Sequence, residues 1–317
     1  MNQVSTARAA GHHTRMTLWF TSHEGPVNAT VGDVTSAIGA FLCPPEYAGP
    51  RGLRALGREG TVALEAYRGS QRARSDRRIR SGQAWARAGR LPTTEPVLLV
   101  PGFMAGDWSL ARLSAFLREN GWRTYRSGIH LNSGCTMLAA ERLEARLEAI
   151  AERRGTRVRI VGHSLGGMMA RGLAAQRPDL VSGIVTMGSP VLAPGAVHDL
   201  LGWNTRLLAR LARAGVGGTM TRDCVAGDCA RASWEATQAP LSSEVDYTAL
   251  FSRRDGIVDW RSCLDPAAEH VEVGCSHVGM AVDPAVHDVV LDALTAQRAS
   301  RRAALSDAAG PRRVGSR

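Results

Sequence analysis

Between residues 95 and 190 the sequence repeats one pattern, a short apolar run followed by a longer amphipathic stretch. The apolar runs have the length of buried strands, and the stretches between them have helical spacing and end at glycine or proline. The predicted strands are 96–100, 122–127, 157–161 and 181–190, and the predicted helices are 108–120, 136–155 and 166–178. This alternation predicts an α/β fold, with a doubly wound and mostly parallel sheet that binds ligands beyond the carboxyl ends of its strands.

The chain divides into three parts around this pattern. Residues 1–90 form an N-terminal extension that is partly irregular, with one short helix predicted in "GTVALEAYRGSQ" (60–71) and an Arg-rich end at 68–90. Residues 91–297 form the α/β domain, and residues 298–317 form a basic tail that we expect to be disordered.

The alternation is interrupted after Pro190 and resumes at residue 246. The interruption contains an amphipathic helix, whose apolar face either packs in the core or covers a pocket or an interface. The apolar residues of that face are Leu200, Trp203, Leu207 and Leu211, and the arginines of another face are Arg206, Arg210 and Arg213. Further on, we predict strands at 246–251 and 269–273 and a last helix at 285–297.

The positive charge is concentrated in two flanking segments. The net charge is +10, and all 39 basic residues are arginine. Residues 68–90 hold eight Arg and one Asp, and residues 298–317 hold six Arg and one Asp, so the rest of the chain is nearly neutral. We interpret both segments as a solvated linker and tail, with contact to an anionic membrane surface as the alternative. No nucleic acid partner is expected, since neither aromatic interleaving nor a nucleic-acid-binding fold accompanies the arginines.

The distribution of apolar residues predicts a cytoplasmic protein. No apolar run approaches the roughly 18 residues that a membrane span needs. Near the N-terminus, the run "MTLWF" (16–20) is too short for the core of a signal peptide.

The cysteine spacing predicts no metal site. The six cysteines are Cys43, Cys135, Cys224, Cys229, Cys263 and Cys275. None of them forms the Cys-x-x-Cys pair that is typical of zinc sites. Cys224 and Cys229 bracket a short loop, and Cys263 is nearby in sequence. A disulfide among these three is the alternative to reduced thiols, which are the default in a reducing cytoplasm.

The strand at 157–161 runs into "GHSLGG" (162–167) and then directly into a helix. A strand, Gly-x-Ser-x-Gly and a helix form a nucleophile elbow, a strained turn in which glycines avoid clashes with neighbouring backbone. The turn exposes Ser164 above the sheet, and the helix N-terminus points at developing negative charge. We therefore predict that Ser164 is a catalytic nucleophile and that His163 beside it is a bystander. A phosphate-binding loop is disfavoured because the Lys-Ser/Thr of a P-loop is missing.

A serine hydroxyl needs a base, and the base needs an orienting acid, in the chain order Ser, acid, His. We predict His277 as the base, because it follows the strand at 269–273 in a glycine-containing loop. The histidines that fit less well are His198, His270 and His287, which lie in the irregular segment, inside a strand and in the last helix. We predict Asp255 as the acid because it directly follows the strand at 246–251, and Asp259 is the alternative.

An oxyanion hole needs two backbone donors near the nucleophile. One is expected to be the N–H of Leu165, the residue after Ser164. The other is expected from the turn after the first strand, where Gly102 permits a bend before Phe103, with Met104 as the alternative donor.

With these motifs the chain resembles the α/β-hydrolase superfamily, and within it bacterial lipases and esterases. The residues that carry the resemblance are "LLVPGF", "GHSLGG", "VTMGSP", "SRRDGIVD" and "SHVGM", spread over about 95–297. The resemblance implies hydrolysis of a small-molecule or lipid-like carboxylic ester through an acyl-enzyme, without a metal or organic cofactor. It also implies a cap or lid, here residues 191–244. The alternatives are a thioesterase or acyltransferase with the same three residues, or a non-catalytic binding protein with a hydrolase fold.

Overall fold

The computed structural model of this chain describes residues 39–71 and 95–308, with side chains up to residue 300 except at residue 40. The first 38 residues, most of the Arg-rich segment 68–90 and the end of the basic tail lie outside the described residues. The expectations for those segments therefore remain predictions.

Six parallel strands form one sheet in the order β2-β1-β3-β4-β5-β6. The strands are β1 (Pro96–Val100), β2 (Arg123–Arg126), β3 (Val158–His163), β4 (Val181–Met187), β5 (Asp246–Phe251) and β6 (Glu269–Glu272). β1 is the first strand of the sheet along the chain. β2 pairs on one side of β1, and β3 to β6 follow in order on the other side. The predicted parallel, doubly wound sheet is confirmed. Its direction of winding reverses between β1 and β3, where open α/β sheets bind ligands.

Helices cover both faces of this sheet. The helices are α1 (Gly52–Glu59), α2 (62–71), α3 (Ala111–Glu119), α4 (Thr136–Arg154), α5 (Leu165–Gln176), α6 (Asp199–Arg213), α7 (Asp223–Ala226), α8 (Asp228–Gln238) and α9 (Pro284–Ala308). Successive residues of β1 point to opposite faces. Leu99 packs in the apolar cluster that includes α3 and α9, and Leu98 packs in the cluster that includes α4 and α5. Every residue of β1, β3 and β4 is buried, as expected for strands with helices on both sides.

The segment 191–244 supplies α6, α7 and α8, which differ in their packing. α8 packs against α5 and α4, so it belongs to the helical layer of the main body. In α6 the predicted apolar face is exposed to solvent: the exposed fraction is 44% at Leu200 and 56% at Trp203. The opposite side of α6 buries Leu208 and Ala209. The exposed face rules out the interpretation of these residues as ordinary core packing.

The last helix is longer than predicted. α9 continues from Pro284 to Ala308, so residues 298–308 of the expected disordered tail are helical. The apolar spacing that predicts a helix stops near residue 297. The Ala-rich and Arg-rich sequence that follows nevertheless has high helix propensity, which accounts for the longer helix.

Within residues 39–71 the N-terminal extension contributes two α-helices, where the sequence predicts one. α2 coincides with the predicted helix in 60–71, while α1 was not predicted. Only Ala55 of α1 is buried among its eight residues, so the apolar pattern of this helix is weak. α1 packs on the loop after β5, where a side chain at Gly256 would collide with the Ala55 carbonyl oxygen.

Candidate active site

Ser164 lies in a strained turn between β3 and α5. Its φ is 52° and its ψ is −122°, a backbone conformation that residues with a side chain rarely adopt. The Ser164 N–H donates to the carbonyl oxygen of Met187 at the end of β4, at 2.8 Å, which anchors the turn to the sheet. Strain of this kind costs of order 1–3 kcal/mol and persists only where surrounding structure enforces it. The geometry is that of the predicted nucleophile elbow.

Two glycines beside Ser164 allow the strand and the helix to approach closely. A Cβ atom at Gly162 would lie 2.5 Å from the Gly166 carbonyl oxygen, and a Cβ atom at Gly166 would lie 2.3 Å from the Val100 carbonyl oxygen. Both obstacles are backbone atoms, which cannot move aside as a flexible side chain can. The glycines of "GHSLGG" are therefore a steric requirement of the turn.

His277 and Asp255 form a hydrogen-bonded pair at the same edge of the sheet. His277 Nδ1 lies 2.7 Å from Asp255 Oδ2, and both side chains are buried. The other carboxylate oxygen, Oδ1, accepts the backbone N–H groups of Ile257 and Val258 at 2.8 and 2.7 Å. These bonds fix the carboxylate, and the carboxylate fixes the imidazole with its Nε2 left for another partner.

The alternative acid and bases have other partners. Asp259 forms an ion pair with Arg261 and accepts the Ala48 N–H, so its carboxylate is engaged away from His277. The rings of His198, His270 and His287 lie at hydrogen-bond distance from the carbonyl oxygens of Gly52, Asp265 and Ala281. Of the two acids that the sequence leaves open, only Asp255 contacts His277.

The pKa values of the two buried histidines at this edge are shifted in opposite directions. Burial lowers the pKa of His277, but the Asp255 carboxylate, its hydrogen bond to the ring and the charge of Glu59 raise that pKa above its ordinary value. Burial and the neighbouring His277 lower the pKa of His163 to about 3, so His163 stays neutral. Its Nε2 donates to the His277 carbonyl oxygen at 3.0 Å. His163 is therefore not a bystander: it holds the backbone of the residue predicted to be the base.

The backbone donors expected for an oxyanion hole lie on both sides of the point where the winding reverses. Leu165 is the first residue of α5, where an N–H has no acceptor within its own helix. Met104 donates its N–H to the Asn132 carbonyl oxygen at 2.9 Å, which removes this alternative donor. Within the described residues the Phe103 N–H has no acceptor, and Gly102 packs against the Cβ atom of Ser164. The pair Phe103 and Leu165 therefore remains available.

An apolar cavity of about 130 Å³ opens beside Ser164. It lies between the elbow, the loop after β1 and the helices α6 and α7. The residues that line it are Leu42, Phe103, Thr136, Ser164, Leu165, Met168, Pro190, Pro194, Val197, Leu201, Thr205, Met220, Cys224 and Val225. No charged side chain is among them, so the cavity suits a hydrocarbon chain rather than an ionic group.

Two glutamates of the N-terminal helices hold the loop that carries His277, and the sequence did not single them out. Glu59 of α1 accepts the backbone N–H groups of Gly256, His277 and Val278, at 2.9, 3.0 and 3.0 Å. Glu65 of α2 is buried, and it accepts both the N–H and the hydroxyl of Ser276, at 3.0 and 2.7 Å. Glu59 and Glu65 lie more than 200 residues before the loop that they hold. The sequence around each glutamate shows no pattern that would indicate this role.

The cysteines group differently from the expectation. Cys263 is buried in a separate apolar cluster and does not join the loop of Cys224 and Cys229. Cys135 joins that loop instead, with its Sγ 3.4 Å from the Sγ of Cys229. A disulfide between Cys263 and either Cys224 or Cys229 therefore does not fit the structure. All six cysteines are free thiols in the structure.

Comparison with known proteins agrees with this architecture. The profile of the family described as "alpha/beta hydrolase fold" matches residues 95–221, which run from β1 to the segment before α7. The match covers 127 of the 317 residues and shows the α/β-hydrolase fold for this part of the chain. The matched part of the chain contains Phe103 and Ser164, whereas Asp255 and His277 lie beyond it.

Individual relatives match over a shorter region. The chain is 31% identical over 108 residues to a triacylglycerol lipase of Pseudarthrobacter phenanthrenivorans. This match covers 31% of the chain and 34% of the lipase. It is 30% identical over 128 residues to a triacylglycerol lipase of Vibrio cholerae, and this match covers 38% of the chain and 40% of the lipase. The matches thus span about a third of these relatives. The mature lipase BlEst2 of Bacillus licheniformis superposes with a TM-score of 0.49 and 15% identity, over 64% of this chain and 94% of that one.

Within residues 39–71 and 95–308, none of the helices combines the length and the apolar content that crossing a bilayer requires.

The carboxylate of Glu59 provides the first testable prediction. Glu59→Gln removes a negative charge that raises the pKa of His277, so that pKa falls. If His277 must be neutral to act as a base, the acid limb of the kcat/KM profile moves to lower pH. The substitution also replaces one of the two acceptor oxygens, so at least one of the three N–H groups loses its carboxylate acceptor and folding stability falls.

The pH dependence of ester hydrolysis and a urea unfolding curve measure both effects. Glu152→Gln is the control, because Glu152 is an exposed carboxylate on α4. An acid limb that stays in place in Glu59→Gln, or that moves equally in the control, would contradict the prediction.

Proposed function

We propose that this α/β hydrolase is a serine hydrolase that cleaves carboxylic esters through an acyl-enzyme. One observation supports the proposal most: the buried Asp255–His277 pair lies at the same edge of the sheet as the strained Ser164. Strain and buried polar pairs both cost stability, and a purely structural role requires neither.

In the proposed reaction, Ser164 Oγ attacks the ester carbonyl carbon while His277 Nε2 takes the hydroxyl proton. Asp255 holds the imidazole in the productive tautomer and stabilises the imidazolium that forms. The N–H groups of Phe103 and Leu165 donate to the oxyanion, and each such donor typically contributes about 2.7–4 kcal/mol. The imidazolium then gives its proton to the leaving alkoxide, which departs as the alcohol.

The second half of the reaction uses the same groups. A water molecule gives a proton to His277 and attacks the acyl carbon. The tetrahedral intermediate then collapses, releases the carboxylic acid and returns the proton to Ser164 Oγ. No other group is required to balance the protons, because the imidazole takes one proton and returns it in each half.

The proposed substrate is a lipid-like ester. The cavity beside Ser164 is apolar and of a size that accepts part of an acyl chain. The matched relatives are named triacylglycerol lipases, although the match covers only about a third of their length. In addition, α6 presents exposed Leu200, Trp203, Leu207 and Leu211 next to the cavity, with Arg206 and Arg210 also exposed. An apolar helix face flanked by arginines suits the surface of a lipid aggregate. We propose that α6 is the cap element that meets it.

Replacement of Ser164 tests the nucleophile. Ser164→Ala should reduce the hydrolysis of p-nitrophenyl butyrate to the rate without enzyme, because no other hydroxyl occupies the elbow. The wild-type chain should react covalently with a fluorophosphonate probe at Ser164, and mass spectrometry of the labelled peptide locates the adduct. Ser189→Ala is the control, since Ser189 is a buried serine near the same helix. Unchanged turnover in Ser164→Ala would refute the proposed nucleophile.

Replacement of the two aspartates tests the acid. Asp255→Asn should lower kcat on the order of 10⁴-fold, because an amide beside Nδ1 favours the wrong tautomer of His277. Asp259→Asn should retain most activity, because this carboxylate bonds Arg261 and Ala48 and does not contact His277. Steady-state kinetics on the same ester compares the two variants. A larger loss in Asp259→Asn would assign the role to Asp259 instead.

Replacement of Trp203 tests the lipid interface. Trp203→Gln should slow hydrolysis of an emulsified triacylglycerol about tenfold, because less apolar surface enters the aggregate. Hydrolysis of a monomeric short ester should not change, since Trp203 does not line the cavity. Leu138→Gln on α4 is the control, because its exposed fraction of 52% is close to the 56% of Trp203. Equal losses on both substrates would argue against an interfacial role.

A further inference from the structure

Three cysteines from distant parts of the sequence bring their sulfur atoms together at one end of the cavity. Cys135 is the N-cap residue of α4, Cys224 lies in α7, and Cys229 is the second residue of α8. All three Sγ atoms lie within 4.8 Å of one another, and those of Cys135 and Cys229 are 3.4 Å apart. Among the described residues this is the only such group of potential metal ligands.

We propose that Cys135, Cys224 and Cys229 form a site for one thiophilic divalent metal ion, with Zn²⁺ as the ion expected. A Zn–S bond of about 2.3 Å in tetrahedral geometry places neighbouring sulfur atoms about 3.8 Å apart. The Cys135 and Cys229 sulfur atoms are 3.4 Å apart and no pair in the group exceeds 4.8 Å, so the ion fits after small rotations of the side chains. Three thiolates leave the fourth tetrahedral position for a water molecule. The site lies outside the reaction proposed above and does not depend on it.

The loop between Cys224 and Cys229 is fixed by its own hydrogen bonds. Asp223 Oδ1 accepts the Asp228 N–H at 2.9 Å, and Asp223 Oδ2 accepts the Cys229 N–H at 3.3 Å. A Cβ atom at Gly227 would lie 2.2 Å from the first of these oxygens, so the loop needs glycine there. The spacing of two of the three sulfur atoms is thus set without a metal, which lowers the entropy cost of forming the site.

Three thiolates this close together repel one another. A divalent cation between them would offset that repulsion and stabilise all three.

Binding balances as an exchange of a metal ion for protons. One Zn²⁺ binds to three thiols, three S–H bonds break, and the three protons pass to solvent, leaving a complex with a charge of −1. No oxidation takes place. Affinity should therefore rise with pH, because the metal competes with protons for sulfur.

A bound ion would connect the cap to the body of the protein. Cys135 begins α4, a helix packed on the sheet, while Cys224 lines the cavity beside Ser164. α7 and the start of α8 would then be tied to the sheet through the metal rather than through apolar packing alone. The site would stabilise one wall of the proposed acyl pocket. The Cys-x4-Cys spacing in the sequence does not indicate such a site.

Metal titration of the reduced full-length chain tests the proposal. Purified protein is treated with reductant and chelator, and Co²⁺ is then added under argon. We expect one Co²⁺ per chain, with the charge-transfer and d–d absorption of tetrahedral thiolate ligation, and displacement by Zn²⁺. Thiol counting with Ellman's reagent should show three of the six cysteines protected by Zn²⁺.

Single substitutions distinguish a built site from general thiol affinity. Cys135→Ser, Cys224→Ser and Cys229→Ser should each weaken Zn²⁺ binding by at least about tenfold, as even the loss of an outer partner does in known sites. Cys43→Ser is the matched control: Cys43 is equally half-buried but lies outside the group, and its substitution should change nothing. Far-UV circular dichroism checks folding. Cys224→Ser decides the test should Cys135→Ser fail to fold, because Cys224 is only partly buried and lies in a four-residue helix.

Three results would overturn the proposal. One is the absence of stoichiometric Co²⁺ binding by the fully reduced chain. Another is equal Zn²⁺ affinity in Cys43→Ser and in the three site variants. The third is a Cys135–Cys229 disulfide in the isolated protein together with no binding after its reduction, which would make the group a redox pair.

Discussion

The close approach of β3 and α5 at Ser164 is the constraint on which the rest of the site depends. The turn holds a non-glycine residue at positive φ, and backbone atoms of β1 and α5 fill the space where side chains at Gly162 and Gly166 would be. Such a turn needs rigid surroundings, which the fully buried strands β1, β3 and β4 provide. Because β1 and β3 lead to opposite sides of the sheet, the same place leaves a crevice between the turn of Phe103 and the turn of Ser164.

A second set of bonds brings the C-terminal loops to this crevice. β5 lies beside β4 and β6 lies beside β5, which places Asp255 and His277 at the same edge. Their loops have little regular structure, and carboxylates hold their backbone instead: Asp255 accepts two N–H groups, and Glu59 accepts three from the two loops. His163 adds a bond from the elbow to the His277 carbonyl oxygen. The imidazole is thus held from the sheet side and from the N-terminal helices together.

The sequence predicts those parts of the structure that depend on local pattern. The strands and helices of the sheet follow from apolar periodicity, and the positions of Ser164, Asp255 and His277 follow from the rule that functional residues lie at the carboxyl ends of parallel strands. Spacing leaves Asp255 and Asp259 open as the acid because they are only four residues apart, and in the structure only Asp255 contacts His277. Parts that depend on long-range contact were not predicted. Glu59 and Cys135 meet partners that are 218 and 94 residues away, and nothing in their neighbourhoods marks them.

The contacts of α1 and α2 have a consequence for where the working unit of this protein begins. The family profile starts at residue 95, and the first regular strand starts at Pro96. A polypeptide trimmed to that boundary would keep every side chain of the proposed reaction. It would lose the carboxylates of Glu59 and Glu65, which accept backbone N–H groups of the loop that carries His277. Those N–H groups would then form hydrogen bonds with water instead. The region that the family profile matches is therefore shorter than the region that holds the histidine loop in place, because the second region includes α1 and α2.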